Sequence, residues 1–269
     1  MDLVEHYKRE GYAVIRRLIS PAEVVDLAAA CDAAHADGLA HGRSYRHGNL
    51  HYRLDGGEVR MVQWAVRQYE ALGQFRIDPR ISRLLAPFLG GDMKQIINQV
   101  HWKKPGGRGD FAFHQDSRFR KPAHAYRNLG DSYVQTGLAI DPHNALSGGL
   151  QFLPGSHLCG DLSLALDDAV MENRPQAERL LAAGLDPSRL ITLDIEPGDF
   201  VLWSPYLVHG SATNNADHFR RFYINGYVTA ADCDRGEWAF RDGQPVPLDP
   251  QPSLVHYEQL YERPEPHYL

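Results

Sequence analysis

The chain has 269 residues, 43% hydrophobic and 23% charged, and a net charge of −6 with histidines neutral. That composition suits a globular protein with a full core, and the acidic balance leaves no global field for nucleic acid or an anionic membrane, so any basic patch has to be local. Cys31, Cys159 and Cys233 sit in no CxxC or CxxH spacing, MDLVEHYKREGYAVI lacks a signal-peptide pattern, and no apolar run reaches the ~18 residues of a membrane span; the expectation is a reducing, cytoplasmic setting.

In chain order, the first ninety residues read as helical cover. Ser20-Pro21-Ala22-Glu23 is a capping box with proline at the first helical position, followed by Val24, Leu27, Ala28 and Cys31 at helical spacing. A second helix is predicted from the Asp78 cap, with Ile81, Leu84, Leu85 and Phe88 on one face and Pro87 and Gly90-Gly91 closing it. From residue 94 the texture changes to short β-rich runs: KQIINQVHW, SYVQTGLAI, GLQFL, LITLDI, DFVLWSP and RFYINGYV. A helical insertion is predicted around DDAVMENRPQAERLLAA. The fold class expected is α+β, mainly β with helical cover around a jelly-roll sheet pair. One domain spans 1–269, divided into mostly helical cover (1–93), jelly-roll core (94–230) and a C-terminal extension (231–269).

FHQDSRFR holds the residues with chemical potential. In extended backbone, positions i and i+2 share a face, so His114 and Asp116 converge while Gln115 turns away. His209, in WSPYLVHGSATNN, is the best third ligand from a distant strand. Two imidazoles and one carboxylate leave half of an octahedral Fe(II) sphere open, whereas a structural zinc site closes all four positions. An HxD pair alone is common, and His209 alone reads as a histidine near a turn. The combination gains weight from Arg220, which shares the apolar face of its strand with Phe222, Ile224 and Val228. A buried guanidinium needs an anion, and a bidentate carboxylate supplies one.

These stretches, KKPGGRGDFAFHQD, LAIDPHNALSGGLQFLPGSH, EPGDFVLWSP and HGSATNNADHFRRFYINGYV, resemble the phytanoyl-CoA dioxygenase-like branch of the Fe(II)/2-oxoglutarate oxygenases, over residues 94–230. The resemblance implies a double-stranded β-helix (cupin-like) core, with Fe(II) on His114, Asp116 and His209. It also implies a 2-oxoglutarate cosubstrate with its far carboxylate on Arg220 and Ser211, and with Gln99 and His101 beside it. O2 is the oxidant, and succinate and CO2 are released as an unactivated C–H is hydroxylated. Relatives often carry tryptophan where Gly137 aligns, and Arg60 falls roughly where they place a basic contact. Asp116 favours hydroxylation over halogenation, which replaces that carboxylate with a small residue.

The basic loop SRFRKPAHAYR, residues 117–127, suits a mouth over the site. Arg118, Arg120, Gln135 and Gly137 are the candidate substrate contacts, for a small anionic metabolite such as a phosphonate, a carboxylate or a natural-product intermediate. A solvated loop pairing with surface acids is the plainer reading of the same residues. The alternatives are a cupin-like metalloenzyme that uses the triad without 2-oxoglutarate, and a hydroxylase of an acyl-CoA-type substrate. Oligomeric state and the role of the tail LVHYEQLYERPEPHYL are not legible.

Overall fold

The computed structural model describes residues 2–107, 109–162, 164, 170, 176–253, 263 and 265–269. Helix α1 (Leu3–Glu10) leads into strand β1 (Tyr12–Ile15). Helix α2 (Pro21–His41) starts at Ser20 with the expected reciprocal capping box, and buries Val24, Leu27, Cys31 and Ala34. Strands β2 (Tyr45–His47), β3 (Leu50–Asp55) and β4 (Glu58–Gln63) follow. The β3–β4 hairpin turns at Gly56 and Gly57, with φ of 58° and 79°; a two-residue turn with both positions left-handed matches the twist of the strands, and glycine adopts it without cost. The helical cover expected over residues 1–93 is thus interleaved with four strands. Helices α3 (Glu70–Arg76) and α4 (Pro79–Leu89) complete the layer, α4 running two residues past Pro87 before stopping at Gly90.

Beyond them lie β5 (Met93–Lys103), β6 (Phe111–His114), a one-turn α5 (Leu129–Ser132), β7 (Tyr133–Ala139), β8 (Leu150–Phe152), α6 (Ala177–Ala182), β9 (Ile191–Thr192), β10 (Phe200–Trp203), β11 (His209–Ser211) and β12 (Arg220–Thr229). The C-terminal extension adds β13 (Glu237–Arg241), β14 (Gln244–Pro245) and β15 (His267–Tyr268) to the sheet rather than standing apart. Arg108, the early part of the expected helical insertion and the stretch 254–262 of the tail lie outside the described residues.

The main sheet runs β1-β10-β7-β12-β5-β4-β3-β2-β15, with β13 and β14 attached beside β5, and a four-stranded sheet β6-β11-β8-β9 faces it. Alternation along β12 divides the interior. Tyr223 and Tyr227 join Leu72, Phe75, Ile81 and Leu85 under the helices, their hydroxyls donating to Leu72 O (3.0 Å) and Arg76 O (2.7 Å). Phe222 points the other way and packs with Leu150, Phe152, Val201 and Trp203 between the sheets. This is the double-stranded β-helix architecture, mainly β with helical cover, and the gap between its sheets is where the site forms. Among the described residues no helix is long and apolar enough to cross a membrane.

Candidate active site

His114 closes β6 and His209 opens β11, and the antiparallel register sets them directly opposite each other. Cross-strand partners share a face, so their rings meet with centroids 4.2 Å apart. Gln115 keeps extended backbone (φ −115°, ψ 139°) before a 3₁₀ turn begins at Asp116, so the alternation carries one residue past the strand and returns Asp116 to the side of His114. Gln115 faces away, donating to Gly160 O and Tyr206 O and accepting from Leu162 N. The three potential ligand atoms of His114, Asp116 and His209 all lie within 4.8 Å of one another. His114 Nε2 and Asp116 Oδ1 are 3.8 Å apart, and His209 Nε2 and Asp116 Oδ2 are 3.7 Å apart.

The surroundings fix the donor set. Each imidazole donates Nδ1–H to a carbonyl two residues back, His114 to Ala112 O (2.7 Å) and His209 to Leu207 O (2.9 Å), which leaves the Nε2 lone pair for the shared point. Burial would raise the Asp116 carboxyl, but His209, His114, Arg120 and the Trp203 N–H together hold it below its usual value. The Trp203 indole, 1% exposed, donates to Asp116 Oδ2 at 2.9 Å and fixes the carboxylate rotamer. Burial, reinforced by His209, pushes His114 down to about 3, so its ring is neutral. Two imidazoles that turn Nε2 toward one point and one carboxylate, on one side of an open cavity, fit a divalent iron with three facial protein ligands.

A second charged feature lies at another part of the cavity wall. Arg220 on β12 and Lys103 on β5 are register partners and 3% and 2% exposed. Like charges directly opposite destabilise a sheet, and here both are buried as well. Burial brings Arg220 down to about 10, partly offset by Asp141. Among the described residues no carboxylate reaches Arg220, whose Nη2 donates to Gly148 O (3.1 Å) while Nε has no partner. Lys103 Nζ donates to Ser211 Oγ (2.7 Å) and Ala212 O (2.5 Å). Gly148 adopts φ +64°, and a Cβ there would stand 2.3 Å from Ala212 O, so this turn accepts only glycine. Lysine has donors only, so Ser211 Oγ is the acceptor and its own proton is left for an incoming anion. The arrangement fits a carboxylate received by Arg220 and Ser211.

The triad, Arg220 and Ser211 line one cavity of about 310 Å³, together with Gln99, His101, Arg120, Gln135, Trp203, Phe222, Ile224, Val170 and Arg53, while Lys103 stands behind Ser211 outside the lining. His101 Nε2 and Gln99 Oε1 are 3.0 Å apart. Burial, then the charges of Arg220, Arg53 and Lys103, pushes His101 down to about 3. Tyr133 donates its hydroxyl to Gln135 Oε1. Arg118, Gly137 and Arg60 do not line the cavity. The 3₁₀ turn at 116–119 rotates Arg118 away from Arg120, onto the ring of Phe119 at 5.4 Å, outside the cavity lining. Gly137 is covered by Phe222, whose Cζ lies 2.1 Å from where a Cβ would stand, so the ring and not the glycine forms the wall. Arg60 is buried against Glu58 (3.3 Å) and Asp55 (3.9 Å), away from the cavity. Sequence reasoning passed over Lys103, although it shares a strand face with Gln99 and His101 by simple alternation. It also passed over Arg53, which sits in a hairpin read as helical cover.

The family model for phytanoyl-CoA dioxygenase (PhyH) matches residues 7–222. The chain is 28% identical over 159 residues to the dioxygenase lolE1 of Epichloe uncinata, covering 59% of this chain and 54% of that protein. It is 26% identical over 184 residues to a 2-aminoethylphosphonate dioxygenase of an uncultured bacterium, covering 67% and 63%. The chain therefore spans between half and two-thirds of the length of these relatives. In fold it is similar to EctD from S. alaskensis, crystallised with 2-oxoglutarate and 5-hydroxyectoine, with a TM-score of 0.64, 19% identity, and coverage of 91% of this chain and 84% of that one. With the family model spanning most of its length, the chain belongs to the phytanoyl-CoA dioxygenase (PhyH) family, whose members use iron, 2-oxoglutarate and O2.

Proposed function

We propose that the protein is a 2-oxoglutarate-dependent dioxygenase that hydroxylates an unactivated C–H bond of a small anionic metabolite, releasing succinate and CO2. The observation that carries the reading is buried Arg220 and Ser211, the latter held from behind by Lys103, in the wall of a cavity that also holds His114, Asp116 and His209. A metalloenzyme without a keto-acid cosubstrate has no need for a buried guanidinium that meets no carboxylate among the described residues. In this reading His114, Asp116 and His209 hold the iron, Arg220 and Ser211 hold the far carboxylate of 2-oxoglutarate, and Gln99 and His101 flank it. Iron, when bound, supplies the oxidative decarboxylation and the C–H oxidation. The chain's own work is positional. Trp203 keeps Asp116 in one orientation, Lys103 keeps the Ser211 proton aimed outward, and neutral His101 offers hydrogen bonds without adding charge. Phe222, Ile224, Leu150 and Val170 exclude water from the reacting carbon.

A volume of about 310 Å³ suits a small molecule, and of the expected substrate contacts Arg120 and Gln135 line it. The relative named for 2-aminoethylphosphonate supports an anionic substrate. We further propose that residues 1–269 act as one unit, since β1 and β15 lie in the same sheet. The three free cysteines, two of them buried, support a cytoplasmic setting.

The test is an anaerobic absorption titration with Fe(II) and then 2-oxoglutarate. Wild type should develop a visible charge-transfer band, His209→Ala should lose it, and Arg220→Ala should require much more 2-oxoglutarate. Iron binding with no band in wild type would overturn the cosubstrate assignment and favour the oxoglutarate-independent class.

A further inference from the structure

The main sheet carries a second polar surface beside the site. From β12 the register runs outward through Ile224, Gln99, Gln63 and His51 to Arg46, and in the adjacent row through Phe222, His101 and Met61 to Arg53. Residues opposite one another across strands share a face, so both rows lie on the cavity side. Arg53, Met61 and Gln63 line both the first cavity and a second of about 280 Å³, whose other walls include Arg46, His51 and Leu269. The two are adjoining chambers, and Arg53 stands at their junction, two strand spacings or about 10 Å from β5.

Two independent observations point to a ligand. Among the described residues no acidic side chain pairs with Arg53, and Asp116 is the only acidic side chain among the described residues that line either chamber. His51 is 7% exposed, and its Nδ1 donates to Gln63 Oε1 at 3.3 Å, which leaves the buried Nε2 with no partner. Burial, then Arg46, pushes the imidazole down to about 3, so Nε2 is a lone pair. A buried acceptor left unmatched costs free energy unless a ligand supplies the donor.

We propose that this second chamber is the recognition end of the substrate site: Arg53 receives an anionic group, carboxylate- or phosphonate-like, and His51 Nε2 accepts from an amine or alcohol beside it. The carbon to be oxidised then lies in the first chamber. The inference rests on the oxygenase reading above and gives its anion a location other than the basic loop. It selects small anions carrying a neighbouring hydrogen-bond donor.

The test is ³¹P NMR of methylphosphonate and aminomethylphosphonate added to full-length protein carrying Mn(II) and saturated with 2-oxoglutarate. Wild type should broaden both signals saturably, aminomethylphosphonate at the lower concentration. Arg53→Gln should weaken both at least tenfold, and Arg118→Gln should leave both unchanged. His51→Leu should abolish the advantage of the amine while leaving methylphosphonate within about twofold. No broadening in wild type, or equal broadening in Arg53→Gln, would overturn the proposal. A 2-oxoglutarate titration of each protein separates the two levels: failure of wild type to bind 2-oxoglutarate sinks the oxygenase reading, whereas intact cosubstrate binding with no Arg53 dependence sinks only this inference.

Discussion

Single side chains divide here into those that touch the reactants and those that hold the first set still. Trp203 belongs to the second, because its one N–H is spent on Asp116. Trp203→Phe keeps the ring and removes the donor, and loss of such a supporting bond typically costs ~10–100-fold in metal affinity; Fe(II) titration should show that loss with little change in melting temperature. Lys103→Met should raise the 2-oxoglutarate needed for half-maximal charge-transfer absorbance by about tenfold, as ~1.4 kcal/mol corresponds to a factor of ten, without changing the iron requirement. An unchanged cosubstrate requirement would mean that Lys103 serves only the loop carbonyls. At this scale the sequence was informative wherever backbone alternation governs. HxD and the inward face of Arg220 follow from a two-residue period, and the structure brings those side chains together. Arg118 and Arg120 also stand two apart, but Arg118 lies within the 3₁₀ turn at 116–119, where alternation does not hold, and only Arg120 lines the cavity.

Among elements, the contact between β7 and β12 is the most exacting. Phe222 reaches across to Gly137 because no side chain stands there. Gly137→Ala forces the ring to move, and overpacking of this kind costs ~1–3 kcal/mol; chemical denaturation should show that loss. The displaced ring has the cavity as its free direction, so substrate binding should weaken as well, while 2-oxoglutarate titration stays within about twofold. The β3–β4 hairpin shows why the first ninety residues were misjudged. LHYRLD and EVRMVQ alternate and flank a Gly56-Gly57 turn, a hairpin signal that a reading of the region as mostly helical cover leaves out. The same misreading hid Arg53, His51 and Gln63.

At the level of the whole molecule, buried neutral histidines set the response to acid. His51 and His101 are each pushed down to about 3, chiefly by burial, against an ordinary value near 6.5. Between those values the unfolded chain takes up protons that the folded chain refuses. Stability is therefore full above pH ~6.5 and falls as pH drops toward 3, each histidine contributing up to ~1.4 kcal/mol per pH unit. Urea unfolding at pH 7.5, 6 and 5 should show the decline, and His51→Gln should flatten it; an equal slope in that variant would mean that the ring titrates normally when folded. Sheet order was beyond reach of the sequence, since pairing β5 with both β12 and β4 depends on which faces find each other across long separations.

The small sheet has a further property. Its strands are four, three, three and two residues long in the order β6, β11, β8, β9, yet it carries both imidazoles, while Arg220 belongs to the long sheet opposite. So few ladder bonds open cheaply, and any ligand gripped from both sides opposes that opening in proportion to its occupancy. Hydrogen–deuterium exchange at 111–114, 150–152 and 209–211 should slow on loading with metal and 2-oxoglutarate, while β5 and β12 change little. The reactants are then also structural members, and how long this sheet persists in a cell depends on the supply of iron and of a central metabolite.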